Sequence, residues 1–470
     1  SSDLLSADQV AAFQAAQIKG LTTTQISGLE DSQLAALSAS AFAAFTPTQI
    51  NALSPEQMAT LTATQIRGFS AAGLSGLSTG QLSAITETQI SAMTTTQVRG
   101  LTATQITALT DAQVGSLSAS QIARLTTTAI TGFEGQDIAG FNASQLGAFS
   151  GVQLDALTST QLASLASSQL ASLTSTQVMG FSATDLGQFT TSQIAGLTTT
   201  HVASLATTQL SGLTATQVAS LSAAQLAGLT STELGALTTT QISAFTTDQI
   251  SAFTTTQLKG LTSSDVGVLS IDQLGAFSTT QLGSLSYVQV KGFGAEAIAA
   301  LSAEQLAALS PTQISGLTAT AISGLDSAEI AALSSTQLSG LTAIQFRGLA
   351  DTQLAAISTT QIGALSPTQL RGLSTTGIAS LSLDQIDALS STQVAGFVAT
   401  QVAGFTASQI SSLSLEQFEA LTSTAISGLT PTQISSFTIF QVADLTATQI
   451  KGLSTTAIGS LSPEQIGVLS

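Results

Sequence analysis

The chain contains no cysteine, which excludes a disulfide framework and any thiolate chemistry. Charge is scarce: Lys and Arg number 9 and Asp and Glu 26 in 470 residues, for a net charge of −17. That balance offers no basic surface to nucleic acid or anionic lipid, so neither is expected as a partner. No apolar run approaches the roughly 18 residues needed to span a bilayer, and membrane insertion is not expected. A single histidine and a single tyrosine give no set of ligands for a metal or a haem. There is no initiator methionine and no recognisable leader, so the chain reads as a processed product or an excerpt. What is present is 43% hydrophobic, enough to bury a core and too much for a disordered tract.

The apolar residues are spaced with complete regularity. From Leu5 a large one recurs every eighth position (Phe13, Leu21, Leu29, Leu37, Phe45) as far as Leu469, and a second follows each by five, from Val10 to Ile466. Labelled a to h from the first of these, the octad reads L-[S/T]-x-x-Q-[I/L/V]-x-[G/A/S], as in Leu21-Thr22-Thr23-Thr24-Gln25-Ile26-Ser27-Gly28. A short fixed period signals a repeat architecture in which each unit contacts mainly its neighbours. One continuous octad-repeat body over residues 1–470, in register from Leu5, is the expected organisation.

Three patterns make the octad helical. Position b is Ser or Thr in 48 of 58 octads and position e is Gln in 44, spelling the S/T-x-x-Q capping box. All six prolines, from Pro47 to Pro463, occupy position c, the first helical residue, where a missing amide hydrogen costs little. Eight of the nine basic residues lie at g, and of the 25 acidic residues after Leu5, 21 lie at b to e. Acids in the first turn and bases in the last complement the helix dipole, whereas sheet dipoles largely cancel. A single long helix fails, because eight residues at about 100° each leave the apolar stripe drifting by roughly 80° per octad. The expected fold is all-α: a solenoid of very short capped helices, one per octad and about three per superhelical turn. A β-solenoid is the competing architecture.

Positions f and the following a should point to the axis, c and d to solvent. Small residues at h should serve as helix ends and let the backbone pass close to its neighbour. Catalytic, cofactor and metal residues are not expected. His201 replaces a Gln at e with no second ligand near it in sequence. The carboxylate pairs Glu134/Asp137 and Glu30/Asp31 sit at helix starts, where the dipole accounts for them. Asn142-Ala143-Ser144 matches a glycosylation acceptor, but Asn142 stands at the N-cap, which Asn favours. Threonine at position c follows no order that would make a flat ice-like lattice. Apolar residues at c or d are candidates for a lateral contact surface: Ile271, Tyr287, Val288, Ile344, Leu383, Leu415, Ile439 and Phe440, with Val152 the one outlier before residue 270. The first and last octads, around Leu5, Val10 and Phe13 and around Leu461, Ile466 and Leu469, are candidates for head-to-tail self-association through exposed a and f side chains.

The octad, as in Leu213-Thr214-Ala215-Thr216-Gln217-Val218-Ala219-Ser220, resembles repeats of very long bacterial surface and secreted proteins described as adhesin-like, filament-forming or haem-utilising. The resemblance covers essentially the whole chain and carries no active site. It implies an extracellular or cell-surface structural role, a rod or filament subunit, or alternatively an adhesin arm presenting a binding surface or tip. The haem description finds no recurring axial ligand in this sequence.

Overall fold

The computed structural model describes residues 5–469. Each octad from Leu5 onward carries one helix: the described residues form 57 α-helices of four to six residues and one 3-10 helix, Gln289–Gly292, with no strand among them. The all-α solenoid is therefore the fold, and the β-solenoid is excluded.

Local chemistry accounts for each helix. Before the helix Ala63–Gly68, Thr62 is extended (φ −72°, ψ 156°). Its Oγ1 accepts the amide of Gln65 at 3.2 Å, while Gln65 Oε1 accepts the amide of Thr62 at 2.8 Å. Two of the orphan amides of a helix start are thereby satisfied. The helix ends because Phe69 is itself extended (φ −61°, ψ 144°) and Ser70 begins the next cap. Two extended residues, a and b, thus make each corner. No described residue has a positive φ, so glycine at h ends its helix without a left-handed conformation; Gly28, for example, closes its helix at φ −89° and ψ 6°.

Glycine at h answers to space instead. A Cβ on Gly132 would lie 2.2 Å from the carbonyl oxygen of Ala103, and one on Gly68 equally close to that of Ala39. Both targets are position-c residues of the turn below. The same contact corrects the expectation for c. Position d is exposed, but c is half-buried in many octads, as at Ser231, because it supports the next turn.

Helices three apart in chain order pack on one another, as Ala39–Phe42 on Ala63–Gly68 and Ala399–Val402 on Ser423–Ile426. Three octads therefore complete one turn, and every third octad stacks into one of three columns. The chain's contacts group into two compact units, Ser1–Leu229 and Thr230–Ser470, each built this way. Side chains at a and f fill the axis; interior residues such as Ile66, Leu162 and Ile314 are at most 1% exposed. Phe133, Phe141 and Phe149, the position-a residues of three successive octads, meet around the axis with ring centroids 5.1 and 5.7 Å apart. Such contacts add to area burial by about 0.5–1.5 kcal/mol each.

The glycine argument has a direct check. A Cβ on Gly228 would stand 2.8 Å from the Thr199 carbonyl oxygen, whereas one on Gly147 would meet nothing within 4 Å. Gly228→Val should cost about 1–3 kcal/mol by overpacking. Gly147→Ala, inside the helix Ala143–Gly147, should gain about 0.5–1 kcal/mol from helix propensity. Chemical denaturation of the two variants tests this, and a similar loss for both would show that glycine at h is not placed for space.

Candidate functional site

The recurrent polar feature is a row of buried glutamines. In sequence position e belongs to the cap; in the structure it also joins turns. Gln217 is 2% exposed. Its Oε1 accepts the amide of Thr214 at 2.6 Å, and its Nε2 donates to the carbonyls of Leu186 at 2.7 Å and Phe189 at 2.6 Å. Gln313 does the same with Leu282 and Leu285, both at 2.8 Å. The acceptors lie 31 and 28 residues earlier, at f and a on either side of the corner one turn below. One amide thus satisfies a helix start above and two helix-end carbonyls beneath. Spacing within one octad carries no trace of a partner so far away in sequence, and the sequence reading missed this second role. Longer side chains add outer links: Arg67 Nε donates to the Ala92 carbonyl at 2.8 Å and Arg371 Nε to that of Gly396 at 2.9 Å.

This ladder is directional, and its two sides differ. On the N-terminal side Gln9, Gln17 and Gln25 are exposed, as is Leu5, while Phe13 and Leu21 are half-buried. Val10 is 1% exposed. On the C-terminal side Ile458 and Ile466 are 42% and 52% exposed, while Leu461 is 8% exposed and Leu469 half-buried. The expectation that both ends expose a and f alike is therefore corrected for Val10 and Leu461. A side chain at f leans toward the turn that follows, as Val10 does under the helix Asp31–Ala36. A side chain at a is completed by the turn that precedes. One side presents amides and a residues, the other carbonyls and f residues.

The eight candidates for a lateral surface are all exposed, between 42% and 73%. They do not form one patch. By octad order Ile271, Ile344, Leu415, Ile439 and Phe440 fall on the first column, and Tyr287, Val288 and Leu383 on the third. Only Leu415 and the pair Ile439/Phe440 lie on directly stacked helices. Lys291 Nζ sits 4.6 Å above the Tyr287 ring, a cation–π contact.

The remaining candidates are parts of the ladder. His201, 4% exposed, replaces a rung: its Nδ1 accepts the Thr198 amide at 3.3 Å and its Nε2 lies 2.8 Å from the Leu173 carbonyl oxygen. Asn142 Oδ1 accepts the amide of Gln145 at 3.0 Å. Asp137 Oδ2 accepts the amide of Glu134 at 2.8 Å, but a carboxylate has no hydrogen to give the turn below. Burial pushes the Asp137 carboxyl up from its ordinary value, the charges of Asp111 and Glu134 add to this, and the Glu134 amide opposes it. Asp155 is raised likewise by burial, by a hydrogen bond with Asp185 and by the charge of Asp185. No group of three or more potential metal ligands occurs among the described residues. A groove of about 500 Å³, lined by Thr79, Ala103, Thr104, Thr107, Ala108, Thr131 and Gly132, holds no titratable side chain. No described helix is long and apolar enough to cross a membrane.

Five segments match the family model of the ALTTAQ repeat: residues 26–63, 90–127, 223–255, 231–263 and 367–399. The segments 223–255 and 231–263 are offset by eight residues, one octad. No curated protein matches the chain. It is thus a repeat protein, with segments of the ALTTAQ type.

Two substitutions test the ladder. Gln217→Leu should cost about 1–3 kcal/mol, because it leaves the Thr214 amide and the carbonyls of Leu186 and Phe189 without their partner. Asp137→Gln should stabilise the protein at neutral pH by about 1 kcal/mol, through a restored rung and removal of a buried charge. The native Asp137 carboxyl holds its proton to a higher pH than an unfolded one, so its charge costs stability above that raised value and the cost fades as pH falls through it. The advantage of Asp137→Gln should therefore shrink toward the ordinary carboxylate range, leaving the rung alone. Denaturation midpoints across that range measure it, and a gain that grows on acidification would contradict the assignment.

Proposed function

We propose that this chain is an extracellular structural protein of the bacterial cell surface, a rod or filament subunit that joins end to end. The observation that carries this reading is the polarity of the ladder. Amides and a side chains on one side are complementary to carbonyls and f side chains on the other. These groups already bond one turn to the next inside each unit, so a second copy can continue the stack with the bonds that build it. A contact between unlike surfaces that does not close on itself grows an open filament. Placement outside a bacterial cell rests on the resemblance of the octad to repeats of surface and secreted proteins. Catalysis, a cofactor, nucleic acid and membrane insertion have no part in this reading. An adhesin arm is the second reading, favoured by the exposed apolar group of Leu415, Ile439 and Phe440 on stacked helices.

Light scattering and electron microscopy across a wide concentration range test the first reading. The expected result is fibres that lengthen with concentration. Ile458→Glu combined with Ile466→Glu should stop growth without unfolding the chain, since both side chains stand exposed. A monodisperse monomer of the unaltered protein at high concentration would refute end-to-end joining and leave the adhesin arm.

A further inference from the structure

Along each column glutamine rungs are missing singly, except at one place. Position-e residues 24 apart in sequence belong to stacked octads, and Ala297 and Ala321 are the one such pair that both lack glutamine. In their column Gln273 below and Gln345 above keep their rungs, to the carbonyls of Ser243 and Phe245 and to those of Ile314 and Leu317. The helix Ala295–Ala299 lies between them. Its N-cap is Gly294, with no side chain to accept an amide, and Ala297 has no group to reach back to the cap. No other described helix lacks both halves of the capping box. Ala297 also sends no rung to the turn below. Ala321 sends none to the carbonyls of Val290 and Phe293, which precede the helix. Glu329 uses Oε2 on the Asp326 amide, and a carboxylate has no hydrogen to give the carbonyls of Ile298 and Leu301, which end the helix. The element just before, Gln289–Gly292, is the one 3-10 helix among the described residues. What remains is the helix's own backbone bonding and the burial of Phe293, Ile298 and Leu301, all at most 6% exposed.

We propose that this octad, residues 293–300, is a release point of the second unit: the place where its solenoid opens first, both in thermal fluctuation and under pull. The stability of a repeat stack is close to a sum of unit and nearest-neighbour contributions. Opening therefore concentrates where several neighbour contributions are missing together, at a free energy below that of unfolding the whole. One absent rung leaves the turns above and below to hold the column. Here two in succession are absent, and the corners at both ends of the same helix are unbridged from above. Eight released residues drawn out span up to about 26–29 Å, so one octad supplies length while the turns around it stay folded. This is a property of the chain by itself, independent of end-to-end joining.

Two measurements on the full chain test it. In hydrogen exchange the bonded amides of Ile298, Ala300 and Leu301 should exchange about tenfold faster, or more, than those of Ile410 and Leu413. The octad of Ile410 has its cap at Thr406 and its rung at Gln409. Gly294→Ser combined with Ala297→Gln restores both halves of the cap and one rung, and a Cβ on Gly294 would meet nothing within 4 Å. Exchange at 298–301 should then slow toward that at 410–413. Because the chain has no cysteine, handles attached at Thr256→Cys and Thr368→Cys, both exposed, allow the segment between them to be pulled. The first extension should be far shorter than release of the whole segment, and the double variant should move it to higher force. Exchange no faster at 298–301 than at 410–413 in the unaltered chain would overturn the proposal. So would a first extension that a folded double variant leaves at the same force. A variant that folds badly would show faster exchange throughout the unit, and the pattern of the unaltered chain then decides.

Discussion

The fold depends on a primary amide doing two things at once. In an isolated short helix the first amides and the last carbonyls lack partners, and five residues make too few internal bonds to compensate. Position-e glutamine removes both deficits. Its oxygen completes the cap of its own helix, and its nitrogen takes two carbonyls at the end of one helix on the turn below, as Gln217 does for Thr214, Leu186 and Phe189. The helix start and the turn-to-turn bond therefore share one side chain. Stability is cooperative along each column, and a lone octad has no folded state to fall back on.

Substitutions at this position show what the ladder demands. Histidine keeps an acceptor and a second ring nitrogen at rung distance, so His201 maintains the contact with Leu173. Aspartate keeps the cap and loses the donor, as at Asp137 and Asp185. Alanine and glycine give up both side-chain roles. At Gly73 a Cβ would lie 2.3 Å from the Ile50 side chain, so an apolar group of the turn below has taken the space. Isolated missing rungs are tolerated because the turns above and below keep theirs.

Much of the local structure was legible in the sequence. Serine or threonine at b, glutamine at e, proline confined to c and the polarity of charge along the octad all act within eight residues. Helix type, helix boundaries and the burial of a and f followed from them. What the octad could not disclose was everything set by the turn. The second role of glutamine needs a partner 28 residues away. The reason for glycine at h is a carbonyl 29 residues earlier, not a backbone angle of its own. Position c was assigned to solvent because nothing in one octad shows that another turn rests on it. The ends were misjudged at Val10 and Leu461 for the same cause: a period reveals which residues are apolar but not toward which neighbour they lean.

The turn of three octads also governs how such a chain can change in length. Removing one octad from within a unit leaves the axis intact, since every octad supplies an apolar residue at a and at f and most supply a glutamine rung. Everything downstream nevertheless moves round by one column. A stretch that faced one way with hydroxyls then faces another, and acidic octads rotate into the place it left. Removal or duplication of three octads, 24 residues, restores every column to its own direction. Length and surface are thus separately adjustable: changes in multiples of three resize the solenoid and keep its faces, while any other number permutes the faces and keeps the core.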